Sequence, residues 1–124
     1  MDRLFVPMCT RQFRSFQNRG KTWEVRRRGR QWTKQFVRQG RTVELRCGYG
    51  KTNKVLWGTI GLVYEVSSID ELFENVPFEK LQTYSANLET AKLFTFWEFF
   101  GEQAVVSMST EIDLIAFEVI LNKK

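Results

Sequence analysis

The run from Lys54 to Val66 is a long β-type segment interrupted by Gly58 and Gly61. Glycine removes the side chain that would resist a bend or bulge, so a strand of this kind can curve as the wall of a barrel does. Two shorter β-type runs precede it. Leu4–Pro7 reads as a first strand, and Arg41–Cys47 alternates, with Val43, Leu45 and Cys47 facing inward and Thr42, Glu44 and Arg46 outward. Ile112–Leu121 closes the chain as a strand that carries Ile115, Phe117, Val119 and Leu121 on one face.

Helical signals fall between these strands. Thr10 is placed to cap a helix running to about Asn18, with Phe13 and Phe16 on one face and Gly20 just past its end. Ser67 or Ser68 caps a short helix over Ile69–Glu74, and Pro77 opens another piece around Phe78–Leu81. Asn87 starts a stronger helix, Leu88–Phe100, closed by Gly101. Its Phe94, Phe96, Trp97, Phe99 and Phe100 leave little polar face, so these rings are expected in a core or in a homodimer contact through residues 88–100. Residues 27–40 lack periodicity and read as an ordered loop anchored by Trp32, Phe36 and Val37; residues 48–53 read as a glycine-rich turn. The expectation is one α+β domain over residues 1–124, its sheet curled into a small barrel with flanking helices.

Composition narrows the function. Four tryptophans, three tyrosines and eleven phenylalanines favour a folded chain. No run is long enough to span a membrane, and the first residues are too short an apolar stretch for a signal peptide. Cys9 and Cys47 have no metal-type spacing, so a reduced, cytoplasmic setting without metal or cofactor is expected. Histidine is absent, which removes imidazole bases, Ser-His or Cys-His nucleophile pairs and His-ligated zinc. Any catalysis would fall to Lys, Glu, Asp, Thr, Tyr or Cys.

The net charge of +5 conceals a division. Residues 1–54 hold fifteen of the nineteen Lys and Arg against three acids, a net of +12, while residues 55–124 carry a net of −7. The cluster Arg26-Arg27-Arg28-Gly29-Arg30 is too tight for folding to disperse, so a basic patch suited to a polyanion is expected. Trp32 and Tyr49 lie among Arg26, Arg28, Arg30, Arg46, Lys51 and Lys54, the interleaving of cations and aromatics that holds phosphates and stacks unpaired bases. Two Gly-Lys-Thr tripeptides, at 20–22 and 50–52, are not phosphate loops. Each lacks the glycine five residues earlier, where Ser15 and Leu45 stand, and each leads into a strand rather than a helix.

The short run Gly20-Lys21-Thr22-Trp23-Glu24-Val25-Arg26 is the chemically distinctive one. Strand alternation puts Glu24 and Arg26 on one face and Trp23 and Val25 on the other, which suggests a charged floor laid over a core. As an ordinary solvated edge strand, the same residues would form a surface ion pair of little energetic weight.

Lys21-x-x-Glu24-x-Arg26, placed between a first helix and a basic loop, resembles the signature Gly-x-Lys-x-x-Glu-x-Arg of the ASCH family, with Arg19 in the position of its glycine. Gly40-Arg41-Thr42-Val43-Glu44-Leu45 resembles that family's second element, a glycine turn feeding a barrel strand. The resemblance implies a PUA-like β-barrel and a cleft for RNA, a nucleotide or a modified nucleoside, with Lys21, Glu24 and Arg26 on its floor. Phosphates would meet Arg28, Arg30, Lys51 and Lys54. The alternative it implies is a hydrolase acting on RNA or modified nucleosides, in which Lys21 and Glu24 would be catalytic. The amidohydrolase branch uses a Lys and a Thr from this strand with a Glu from the later helical region; here Lys21 matches, and Glu24 occupies the position of that Thr.

Overall fold

The computed structural model describes residues 2–48 and 54–122. In chain order the elements are β1 (Leu4–Met8), α1 (Thr10–Asn18), β2 (Trp23–Arg27), β3 (Thr42–Cys47), β4 (Val55–Val66), α2 (Ile69–Asn75), α3 (Phe78–Leu81), α4 (Leu88–Phe100) and β5 (Leu114–Leu121). The strands form a five-stranded sheet in the order β1-β3-β4-β5-β2, with β1 parallel to β3 and the other pairs antiparallel. It is the α+β, PUA-like arrangement expected: a curled half-barrel of strands with helices packed on it.

Local signals account for most boundaries. The Ser68 side chain accepts a hydrogen bond from the Glu71 amide and the Asn87 side chain one from the Thr90 amide, so both predicted caps start their helices. Thr10 differs: it is the first helical residue, and Cys9 stands in the cap position without a side-chain bond. Gly20 adopts φ +75°, and the amides of Arg19 and Lys21 both reach the Ser15 carbonyl. That left-handed step turns the chain from α1 into β2. Beyond Gly48, the predicted turn over 48–53 lies outside the described residues.

The β4–β5 ladder is irregular at Gly61 and regular at Gly58. The register shifts between Ile60 and Val63. At Gly58 an added Cβ would stand 2.7 Å from the Ile120 carbonyl oxygen, so the two strands approach closely only because that residue has no side chain.

Two apolar clusters occupy the two faces of the sheet. The first joins Leu4, Val6, Val43, Leu45, Ile60, Ile115, Phe117 and Val119 to Phe13 and Phe16 of α1 and to Val37. The second joins Trp23, Val25, Val66, Leu114 and Ala116 to Ile69, Leu72, Leu81 and Phe96 of the later helices. Trp23 therefore lies in the core as its strand parity requires, stacked on Tyr64 with ring centroids 5.7 Å apart.

Two expectations change and a third is narrowed. Phe36 is exposed, and the 27–40 loop is anchored by the buried Val37 and the half-buried Trp32. Glu44 does face away from the first cluster, yet it is 1% exposed, because the guanidinium groups of Arg3 and Arg46 close over its carboxylate. In α4 only Phe96 of the named aromatics is fully buried, while Phe94, Trp97, Phe99 and Phe100 are half-buried.

Candidate functional site

The site is built on β2, an edge strand. Glu24 pairs with Phe117 and Arg26 with Ile115 across the β2–β5 ladder. Cross-strand partners share a face, so the two charged residues point to the first cluster beside α1. The solvated-strand reading fails on burial. The side chains of Lys21 and Glu24 are 1% and 6% exposed.

Each charge is held from several directions. Lys21 Nζ donates to the Leu81 carbonyl at the end of α3 and lies 3.9 Å from Glu24 Oε1. Glu24 Oε1 accepts from the Val25 amide at 3.1 Å. Arg26 Nη1 stands 3.1 Å from Glu24 Oε2 without hydrogen-bond alignment, which leaves Oε2 buried and without a hydrogen-bond partner. Arg26 Nη2 donates to the Pro7 carbonyl of β1 at 2.9 Å, and its guanidinium lies over Trp32, 5.2 Å from the ring centroid. Trp32 in turn stacks on Phe117. The strand that opens the sheet on one side is thus tied to the strand that opens it on the other.

A glutamate not singled out in the sequence completes the group. Gln82, buried beside α4, donates to Glu98 Oε1 and to Thr95 Oγ1, both at 2.9 Å, and the Thr95 hydroxyl donates to the Ala91 carbonyl. Glu98 reaches solvent as a residue, while its carboxyl end turns in to that buried amide. It lines an open recess of about 320 Å³ together with Arg11, Phe94, Trp97 and Glu102. Phe94 and Trp97, expected in a core or a homodimer contact, form part of a surface hollow in this chain. The signal for Glu98 was present: it is the one acid within the aromatic run 94–100.

The electrostatics of these groups are coupled. Burial pushes the Lys21 amine below its ordinary 10.5, with Glu24 and Glu98 pulling the other way. Burial also works against ionising Glu24, but Arg26 and Lys21 outweigh it and hold that carboxyl below the ordinary 4.5. Glu98 goes in the opposite direction: burial of its carboxyl end, with Glu24 adding to it, raises it above 4.5 against the opposing Gln82 bond. Two carboxyls of one cluster are thereby driven apart, the pattern of groups with different proton roles.

The other predicted residues are less concentrated. Arg28 is shared between Glu65 at 3.7 Å and Asp113 at 3.9 Å. Arg46 binds Glu44 and lies over Phe5, on the face of the sheet opposite Glu24. Arg30 is exposed, with φ 52°, and Lys54 is exposed. Tyr49 and Lys51 fall outside the described residues. Among the described residues, Arg11, Arg14 and Arg19 of the α1 region, and Arg30, Lys34 and Arg38 of the loop, have no carboxylate within 4 Å. Arg11 and Arg19 flank the Tyr84 ring, at 4.4 and 4.1 Å. No helix among the described residues is long and apolar enough to cross a membrane, and no three His, Cys, Asp or Glu side chains gather there as metal ligands do.

No protein-family model and no curated protein matches the sequence; the likeness is one of structure. The hypothetical protein PH0355 superposes with a TM-score of 0.69 at 13% identity, over 98% of this chain and 100% of its own. Protein PF0455 from Pyrococcus furiosus gives 0.60 at 14% identity, over 99% of this chain and 100% of its own. The ASCH structure from Zymomonas mobilis gives 0.57 at 10% identity, over 96% of this chain and 66% of that one. The chain has the fold of an ASCH domain.

Proposed function

We propose that this domain binds RNA or a nucleotide, with Lys21, Glu24 and Arg26 at the floor of the site and unpaired cations around it. The observation that carries this reading is the buried Lys21–Glu24 pair, whose Glu24 Oε2 has no aligned hydrogen bond and only the Arg26 guanidinium as a partner. Taking two charges out of water costs several kcal/mol per ion, and an ion pair offsets that fully only when every polar atom is satisfied. An apolar pair would serve the core as well, so the charges are better explained by a ligand that uses them. The carboxylate-free Arg14 and Arg19 near α1, with Arg30 and Arg38 of the 27–40 loop, would supply the phosphate contacts.

The test is fluorescence anisotropy of a labelled single-stranded RNA across a salt series. Binding should weaken as salt rises, and Arg19→Gln with Arg30→Asn should lower the salt slope by about one for each phosphate that is no longer neutralised. Binding that ignores both salt and these changes refutes the reading.

One observation favours hydrolysis of a modified nucleoside as a second reading. Lys21, with its lowered amine, is held by the Leu81 carbonyl, and the next residue, Gln82, holds Glu98, a glutamate from the later helical region with a raised carboxyl. An amine and a carboxyl shifted toward neutrality can exchange protons with a substrate. Incubation with acylated and methylated nucleosides, followed by mass spectrometry, should then show turnover that Lys21→Ala abolishes.

A further inference from the structure

The recess between α1 and α4 has the wrong charge for a phosphate. It is lined by two carboxylates, Glu98 and Glu102, against one guanidinium, Arg11, which already lies on Tyr84. Neither glutamate has a cation within 4 Å among the described residues. Its remaining walls are the half-buried rings of Phe94 and Trp97, whose centroids are 5.9 Å apart. Its volume of about 320 Å³ is at the small end for ligand pockets and suits a single nucleoside better than a strand.

From this lining we infer that the recess takes a nucleobase with two adjacent N–H donors on its edge, namely guanine, with Glu98 as its acceptor. The inference rests on the nucleotide-binding reading above and specifies the base.

An ionised carboxylate accepts hydrogen bonds and donates none. Guanine presents N1–H and the N2 amino group side by side on its Watson–Crick edge, and a carboxylate can receive both. Adenine, cytosine and uracil offer no two adjacent donors on that edge, and a carboxylate repels the acceptors beside the donors they have. The Glu98 carboxylate is pre-set for this task, because Gln82 holds Oε1 at 2.9 Å and is itself fixed by Thr95. Among the described residues Oε2 has no hydrogen-bond partner, so we assign it to the base. Stacking of the base on Trp97 or Phe94 adds affinity without choosing between bases, so selectivity would come from Glu98.

The experiment compares guanosine, inosine, adenosine, cytidine and uridine monophosphates by quenching of tryptophan fluorescence, with oligouridylate anisotropy as a separate arm. Guanosine monophosphate should bind about tenfold or more tighter than the others, including inosine monophosphate, which lacks the N2 amino group. Glu98→Gln should remove that preference, and Trp97→Ala should weaken all the nucleotides alike, with circular dichroism confirming that both variants fold. Equal affinity for all five, or a guanosine preference that survives Glu98→Gln, overturns the inference. If oligouridylate binds in a salt-sensitive way while the monophosphates are not distinguished, the recess inference falls and the RNA reading stands. If guanosine monophosphate is preferred and oligouridylate does not bind, the recess inference stands and the RNA reading falls.

Discussion

Arg26 on β2 donates to the Pro7 carbonyl on β1 at 2.9 Å, so the two edge strands of the sheet are joined by a side chain rather than by a backbone ladder. The same guanidinium faces Glu24 and covers Trp32. Charge, closure of the half-barrel and the candidate site therefore meet at one residue.

Removing Lys21 tests how the pair is balanced. Lys21→Met leaves Glu24 buried with Arg26 as its remaining close cation, and should cost about 3–5 kcal/mol. The double change Lys21→Met with Glu24→Gln removes both charges and should recover much of that loss. Urea unfolding of the two variants checks this; equal destabilisation by both would mean that packing, not charge, dominates here.

The two shifted carboxyls make opposite contributions to stability against pH. Glu98 holds its proton more tightly when folded, so its contribution is present below 4.5 and is lost as pH rises through the raised folded value. Glu24 is the reverse: its contribution is present above 4.5 and is lost as pH falls through the lowered folded value. Glu98→Gln should therefore flatten the decline on the rising side and leave acid unfolding intact. Thermal midpoints measured from about pH 3 to pH 8 would show it; an unchanged profile contradicts the assignment.

Gly58→Ala should destabilise the fold by about 1–3 kcal/mol, because the new methyl would lie 2.7 Å from the Ile120 carbonyl oxygen and neither strand can easily yield. Chemical denaturation reads this directly, and a neutral outcome would show that β4 and β5 can separate there.

Asn87→Ala removes the side-chain bond to the Thr90 amide at the start of α4. A loss of about 1 kcal/mol is expected. Because α4 also carries Trp97 and Glu98, hydrogen exchange in its first turn should rise while the β-sheet amides stay protected. Uniform loosening would argue that the helix start and the sheet unfold as one unit.

Much of the fold was legible in the residues. Ser68 and Asn87 caps, the turn at Gly20, and the alternation of Val43 with Leu45 and of Ile115 with Phe117 are local signals, and local chemistry sets them. The charged run Lys21–Arg26 was also visible, together with the parity that sends Trp23 into the core and Glu24 to the other face. Tertiary structure alone decided the rest. It buried Lys21 under Leu81 and brought Pro7 to Arg26. It paired Arg28 with Glu65 and Asp113, and it joined Glu98 of a distant helix to Gln82, next to the Leu81 carbonyl that holds Lys21. Whether a charge is solvated, paired or buried depends on which side chains arrive from far along the chain, and periodicity records only a residue's nearest neighbours.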